Sequence, residues 1–202
     1  MKVTGQNGRL FTGEISYRGE NGTEVMKEFA GALSPDGKDI GTIEYPDGFC
    51  DVVIVSADEI ELVFLDETNP SMITIDTFWR TKAPSSQATK PMANLVGNWS
   101  GTSSGYMKNA SGYEAIGGVL TMKVTEQDDR FFKGQVAYEV DGSLVTKDFA
   151  GVFARDGKTI ATVEYPGGFS DGIVVSADEI RLVFRDQANP STISVDSFRR
   201  VQ

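Results

Sequence analysis

Short runs rich in Val, Ile, Phe, Tyr and Thr alternate along the second half of the chain with clusters of Gly, Asp, Asn and Pro. The runs are Val96–Tyr106, Val119–Thr125, Phe131–Val140, Val145–Ala154, Thr159–Tyr165, Gly172–Ser176, Ile180–Asp186 and Thr192–Arg200. Asp128-Asp129, Asp141-Gly142, Asp156-Gly157, Pro166-Gly167-Gly168, Ala177-Asp178-Glu179 and Asn189-Pro190 separate them. Asp-Gly is a hairpin signal because both turn positions require positive φ. Strands of this length with a turn signal roughly every 8–12 residues predict an antiparallel up-and-down barrel or sandwich. No stretch carries a helical period. A sheet of eight strands that closes on itself removes both edges.

The same pattern occurs twice. MKVT starts at Met1 and at Met122, KEFAG at Lys27 becomes KDFAG at Lys147, and DGK recurs at Asp36 and Asp156. TIEYPDGFCD at Thr42 becomes TVEYPGGFSD at Thr162, VSADEIELVF at Val55 becomes VSADEIRLVF at Val175, and NPS recurs at Asn69 and Asn189. Roughly half of the paired positions are identical, far beyond chance for an internal repeat. Glu44 and Glu164 stand 120 residues apart, too long a period for a solenoid or a propeller blade, so each copy reads as a domain. The predicted organisation is a first module over 1–80, a Pro/Ser/Ala/Thr-rich linker over 81–93 and a second module over 94–202. The block from Asn94 to Thr121 has no partner in the first copy. The expectation is an all-β chain of two eight-strand barrel modules, the first lacking its opening strand. Its cause is expected at the N-terminus, since Met122 is internal to its copy whereas its equivalent is Met1.

Composition agrees with the pattern. The chain has 202 residues, 40% of them hydrophobic, with 22 glycines. That is enough apolar material for real cores and a balance that leans away from helix. The net charge of −10 repels phosphate backbones and anionic headgroups, so neither nucleic acid nor a membrane surface is an expected partner. No apolar run approaches the roughly 20 residues of a spanning helix; Met1-Lys2-Val3-Thr4 does not read as a signal peptide, since no apolar stretch follows the charge, and a signal removed upstream stays open. The single cysteine, Cys50, corresponds to Ser170 in the second copy and reads as a small packing residue.

Leu95-Val-Gly97-Asn-Trp99-Ser-Gly101 opens the second meander and Arg200 closes it. A Gly-x-Trp on the first strand with an arginine on the last resembles the lipocalin and avidin-like proteins, the calycins. That resemblance implies an eight-strand barrel in which the closing arginine packs across Trp99 near the closed end. Gly97, Trp99 and Arg200 are then structural signatures, and Arg80 is the closing residue of the first copy. The longer lipocalin motifs are not evident. The chain's two tryptophans, Trp79 and Trp99, do not supply the tryptophan-lined pocket of avidins, so biotin is not implied. The modules also resemble exported proteins of methanogenic archaea that carry no assigned activity.

The chain contains no histidine and one cysteine. Histidine triads, histidine metal sites and thiolate clusters are therefore excluded, and no phosphate-cradling or dinucleotide motif is present. No cofactor, catalytic set or metal site is expected. Glu44, Asp47 and Asp51 could be weighed as oxygen ligands for calcium, but Asp47 becomes Gly167. Asp58-Glu59 and Asp178-Glu179 read as solvated turns. The feature both copies keep is a carboxylate, a phenol and a phenyl ring at a strand end: Glu44, Tyr45 and Phe49, then Glu164, Tyr165 and Phe169. Such a barrel mouth suits a small ligand. The plainer alternative packs the rings in the core and pairs each glutamate with Lys27 or Lys147. The expected function is a non-catalytic, extracellular binding module. The alternative is a self-assembling structural subunit joined by strand exchange through the open seam of the first copy.

Overall fold

A computed structural model describes residues 1–19, 21–35, 37, 39–45, 49–56, 58–65, 72–80, 91–186 and 191–201; at 39, 45, 49, 51, 53 and 65 it describes backbone alone. Outside the described residues lie Asp36, Pro46, Asp47, Gly48, Asn69, the linker residues 81–90 and Asn189-Pro190. The chain divides into two compact units, Met1–Ser86 and Gln87–Gln202. The described residues are strands and connections, with no helix long and apolar enough to cross a membrane.

The first unit holds β1 (Lys2–Asn7), β2 (Leu10–Arg18), β3 (Glu24–Leu33), β4 (Asp39–Tyr45), β5 (Phe49–Ser56), β6 (Glu59–Leu65) and β7 (Ile73–Trp79). Each strand pairs with its neighbour in sequence, giving a seven-strand antiparallel sheet in the order β1 to β7. The second unit holds β8 (Gly97–Asn109), β9 (Gly112–Asp128), β10 (Phe131–Val140), β11 (Ser143–Phe153), β12 (Thr159–Tyr165), β13 (Phe169–Ser176), β14 (Glu179–Asp186) and β15 (Thr192–Arg200). These close into a barrel because β8 lies between β9 and β15. One closed barrel is thus present. The first copy is an open sheet among the described residues, without the second barrel's closure.

Turn chemistry sets the strand connections. Asp141 (φ 50°) and Gly142 (φ 75°) both occupy the left-handed region, the requirement of a two-residue hairpin turn. Gly8 (φ 59°) and its counterpart Asp129 (φ 49°) do the same at the preceding turn of each unit. Asp156 accepts from the backbone N–H of Lys158 and Thr159, each at 2.8 Å, which fixes the turn into β12.

Two boundaries differ from the sequence expectation. The Gly/Ser/Tyr-rich stretch after Tyr106 is not a loop. It forms the outer arms of β8 and β9, paired from Gly105↔Ile116 to Asn109↔Gly112, because Gly and Ser tolerate the extended backbone once the hairpin holds it. The end of the expected linker is not loose either. Met92 and Ala93 pack against the core, and Leu95 is fully buried.

The core of the barrel fills one end. Trp99, Leu95, Val124, Phe153, Ile160, Ile180 and Phe198 are each at most 2% exposed, and burying a side chain of this size contributes roughly 1.5–3 kcal/mol. The equivalent end of the first unit is uncovered. Met1 and Val3, the counterparts of buried Met122 and Val124, are exposed, since among the described residues no strand equivalent to β8 brings a tryptophan over them. Its core centres instead on Cys50, Val52, Leu62 and Phe64, with Ile40, Ile60 and Phe78 against them.

Candidate functional site

Strand alternation decides which side chains face the barrel interior. Along β15, Ser194, Asp196 and Phe198 are buried, while Ile193 and Val195 between them are about half exposed. Toward one end, therefore, the usual apolar-in, polar-out order is reversed. On β12 the inward positions are Ile160, Thr162 and Glu164, and on β11 Lys147, Phe149 and Phe153. Apolar side chains seal one end of the barrel, and polar ones line the space above them.

That space is a cavity of about 600 Å³, within the range of small-molecule sites. Leu120, Met122, Val136, Phe149, Leu182 and Phe198 form its apolar wall. Ser103, Thr162, Glu164, Lys147, Ser194 and Asp196 supply polar groups that converge on it.

Two acidic centres stand out. Glu164 Oε2 lies 3.7 Å from Lys147 Nζ, an ion pair longer than a hydrogen bond, and that oxygen accepts none. Burial pushes the Glu164 carboxyl up to about 7; Lys147 opposes the shift, and the charges of Asp196 and Asp186 add to it. Lys147 also donates to the Gly167 carbonyl at 3.3 Å and sits 5.8 Å from the centre of the Phe184 ring. Asp196 accepts from Ser103 Oγ at 2.6 Å and Ser194 Oγ at 3.0 Å, both on Oδ1. Burial raises its carboxyl against those two hydroxyls.

The first unit keeps part of this set. Lys27 Nζ lies 3.9 Å from Glu44 Oε2, and Cys50 Sγ donates to Glu44 Oε1 at 3.7 Å. Burial raises both groups, the Cys50 thiol to about 12, which holds it in the unreactive thiol form. Asp76, the counterpart of Asp196, is exposed, because the described residues of that unit offer no strand like β8 to cover it.

Of the ligand-binding positions expected in the second copy, Glu164 lines the cavity and Tyr165 and Phe169 do not. Glu44 is buried and Glu164 largely buried beside their lysines. Tyr165 is 58% exposed on the outer face, as a strand neighbour of an inward glutamate must be. Phe169 sits across from buried Val163, with the Arg185 guanidinium 5.5 Å from its ring centre. The side chains of Tyr45 and Phe49 lie outside the described residues. Glu59 does not match a solvated turn, being 3% exposed. Among the described residues no cluster of three ligating side chains could hold a metal ion.

Sequence reasoning missed Asp196, Ser103 and Ser194. The signal was available in the phase of TISVDSF: counting back in twos from the buried aromatic Phe198 places Asp196 and Ser194 inside.

The signature residues form the closed end. The Arg200 guanidinium lies 4.3 Å from the centre of the Trp99 ring. It donates to the carbonyls of Asn94 (2.6 Å), Val96 (2.9 Å) and Ala177 (3.1 Å). Trp99 Nε1 donates to the Leu95 carbonyl at 2.9 Å. Gly97 adopts φ 140°, and a Cβ there would stand 2.9 Å from Arg200 Nη1. Arg80, by contrast, makes a 4.0 Å pair with exposed Asp58 and is itself 72% exposed.

No protein-family model matches this chain, and no curated protein does. Among solved structures, a protein of unknown function from the DUF3598 family of Nostoc punctiforme is similar over 94% of this chain and 93% of its own. The identity is 11% and the TM-score 0.43. At those values nothing carries over from that protein to this chain.

Proposed function

We propose that the second unit is a small-molecule-binding barrel of lipocalin-like kind and that the chain acts by binding rather than catalysis. The observation that carries this reading is the cavity of about 600 Å³ with an apolar wall and buried polar groups converging from β8, β11, β12 and β15. Burying polar groups costs free energy unless they are matched. A barrel that needed only stability would fill the same space with side chains.

A neutral fluorophore, N-phenyl-1-naphthylamine, titrated into the full chain tests this. Saturable binding with one site per chain is expected. Gly118 lies directly across from Ser103, and a Cβ added there meets nothing within 4 Å. Gly118→Trp should therefore fill the cavity and reduce affinity at least about tenfold while leaving the barrel folded. Equal binding by the variant would sink the proposal.

A second reading has its own observation. Among the described residues, β1 and β7 end the seven-strand sheet without pairing to each other. Unpaired edges accept strands, so the first unit suits completion by a strand of another molecule. β8 is not a free donor in this structure, because it pairs with both β9 and β15 of its own barrel.

A further inference from the structure

The charges within the barrel cavity do not balance, and that imbalance specifies a ligand. Lys147 is committed to Glu164, the Gly167 carbonyl and the face of Phe184. Asp196 is 7% exposed, and no cation among the described residues pairs with it. Both of its hydroxyl donors serve Oδ1, which leaves Oδ2 without a protein donor. Glu164 Oε2 is likewise buried without a hydrogen bond. Asp186, Glu139 and Asp141 also line the cavity, and its remaining wall is largely aliphatic and aromatic.

A buried carboxylate without a counter-charge is costly, and a cation supplied by a ligand removes that cost through a charge-assisted hydrogen bond. An anionic ligand would add to the imbalance. We propose that the barrel binds a molecule carrying a protonated amine on an apolar body, with Asp196 receiving the ammonium group and the Leu182–Phe198 side of the wall covering the body. The inference rests on the ligand-binding reading of this cavity. It adds the class of ligand and the residue that selects it. In the first unit the counterpart Asp76 is more exposed, so its demand for a cation is weaker, although partial burial still raises its carboxyl.

The test is calorimetry on the full chain with three molecules of one shape: 4-phenylbutylamine, 4-phenylbutan-1-ol and 4-phenylbutyrate. The amine should bind about tenfold or more tightly than the alcohol, and the acid most weakly. Asp196→Asn should remove that advantage while leaving alcohol affinity within about twofold, which separates lost recognition from lost folding. If Asp196→Asn fails to fold, Ser103→Ala serves instead. Freeing Oδ1 of one donor, it should keep or increase the preference for amine over alcohol. A lost preference in that variant would overturn the assignment.

The amine remains protonated from pH 5 to 8, so pH dependence in that range reports the protein. The groups facing Asp196 across the cavity are Glu164, Asp186, Lys147 and the rim carboxylates Glu139 and Asp141. Ionisation of Glu164, which burial raises to about 7, favours the cation, so affinity should rise with pH across this window. Equal affinity for amine and alcohol would overturn the amine assignment while leaving the binding barrel standing. Failure of all three molecules and of the neutral fluorophore would overturn both. Competition by calcium chloride alone would reassign the acidic groups to a metal site and also overturn the proposal.

Discussion

At the scale of single residues, the two copies show how one substitution changes a buried environment. Position 50 in the first copy is a cysteine whose thiol donates to Glu44. Position 170 in the second is a serine, 1% exposed, whose hydroxyl has no hydrogen-bond partner among the described residues. Ser170 gives the second copy's glutamate no such bond, and burial, opposed by Lys147, raises Glu164 to about 7. An acid raised on folding is held protonated by the fold. The stability linked to that proton is fully present below about 4.5, its ordinary value, and is lost as pH rises through about 7. The second unit should be less stable at pH 8 than at pH 5 by about 1–3 kcal/mol on this account. Glu164→Gln should shrink that difference in urea titrations at the two pH values. An unchanged difference would show that Glu164 ionises normally. The glutamates and their lysine partners were legible in the sequence. Asp196 was not, because it stands alone among carboxylates on a largely polar strand, and only the phase set by Phe198 turns it inward.

At the scale of elements, the last strand locks the first. Arg200 lies over Trp99 and ties down the carbonyls of the segment before β8. Leu95 N–H donates to Gln127 Oε1 at 2.7 Å, and Gln127 Nε2 donates to the Ala93 carbonyl at 3.1 Å, so residues 91–96 form a lid on the core. Arg200→Leu should lower the stability of the second unit by about 1–3 kcal/mol, from the lost cation–π contact and charged hydrogen bonds. Arg80→Leu should change stability by less than about 0.5 kcal/mol, as its single exposed pair contributes little. Chemical unfolding of both variants checks the contrast, and equal losses would contradict it. The strands themselves were legible because the turns carry strong local chemistry, as at Asp141-Gly142. The arms between Gly105 and Gly118 were not, since Gly and Ser have weak strand preferences and are extended only through their pairing.

At the scale of the whole molecule, the duplication explains both units. Shared sequence gives each the same strand order, and one strand, β8, makes the difference between an open sheet and a closed barrel. It brings Trp99 to one end and Ser103 to the cavity, and by covering Asp196 it creates a buried acid where the first unit has a more exposed one. If instead the open sheet is the working surface, light scattering of the full chain should show association that grows with concentration. A monomer at every concentration would contradict strand sharing. The repeat and the unequal strand number were readable from sequence alone. Whether the barrel was hollow was not, because cavity volume depends on how inward side chains of eight strands meet.

The most direct measurement of the binding barrel is a ¹H–¹⁵N NMR titration of the full chain with N-phenyl-1-naphthylamine. The account predicts shifts concentrated at cavity residues such as Ser103, Leu120, Glu164, Leu182 and Asp196, with the first unit unmoved. Shifts confined to the outer face around Tyr106, Ile193 and Val195, or no saturable shifts at all, would contradict it.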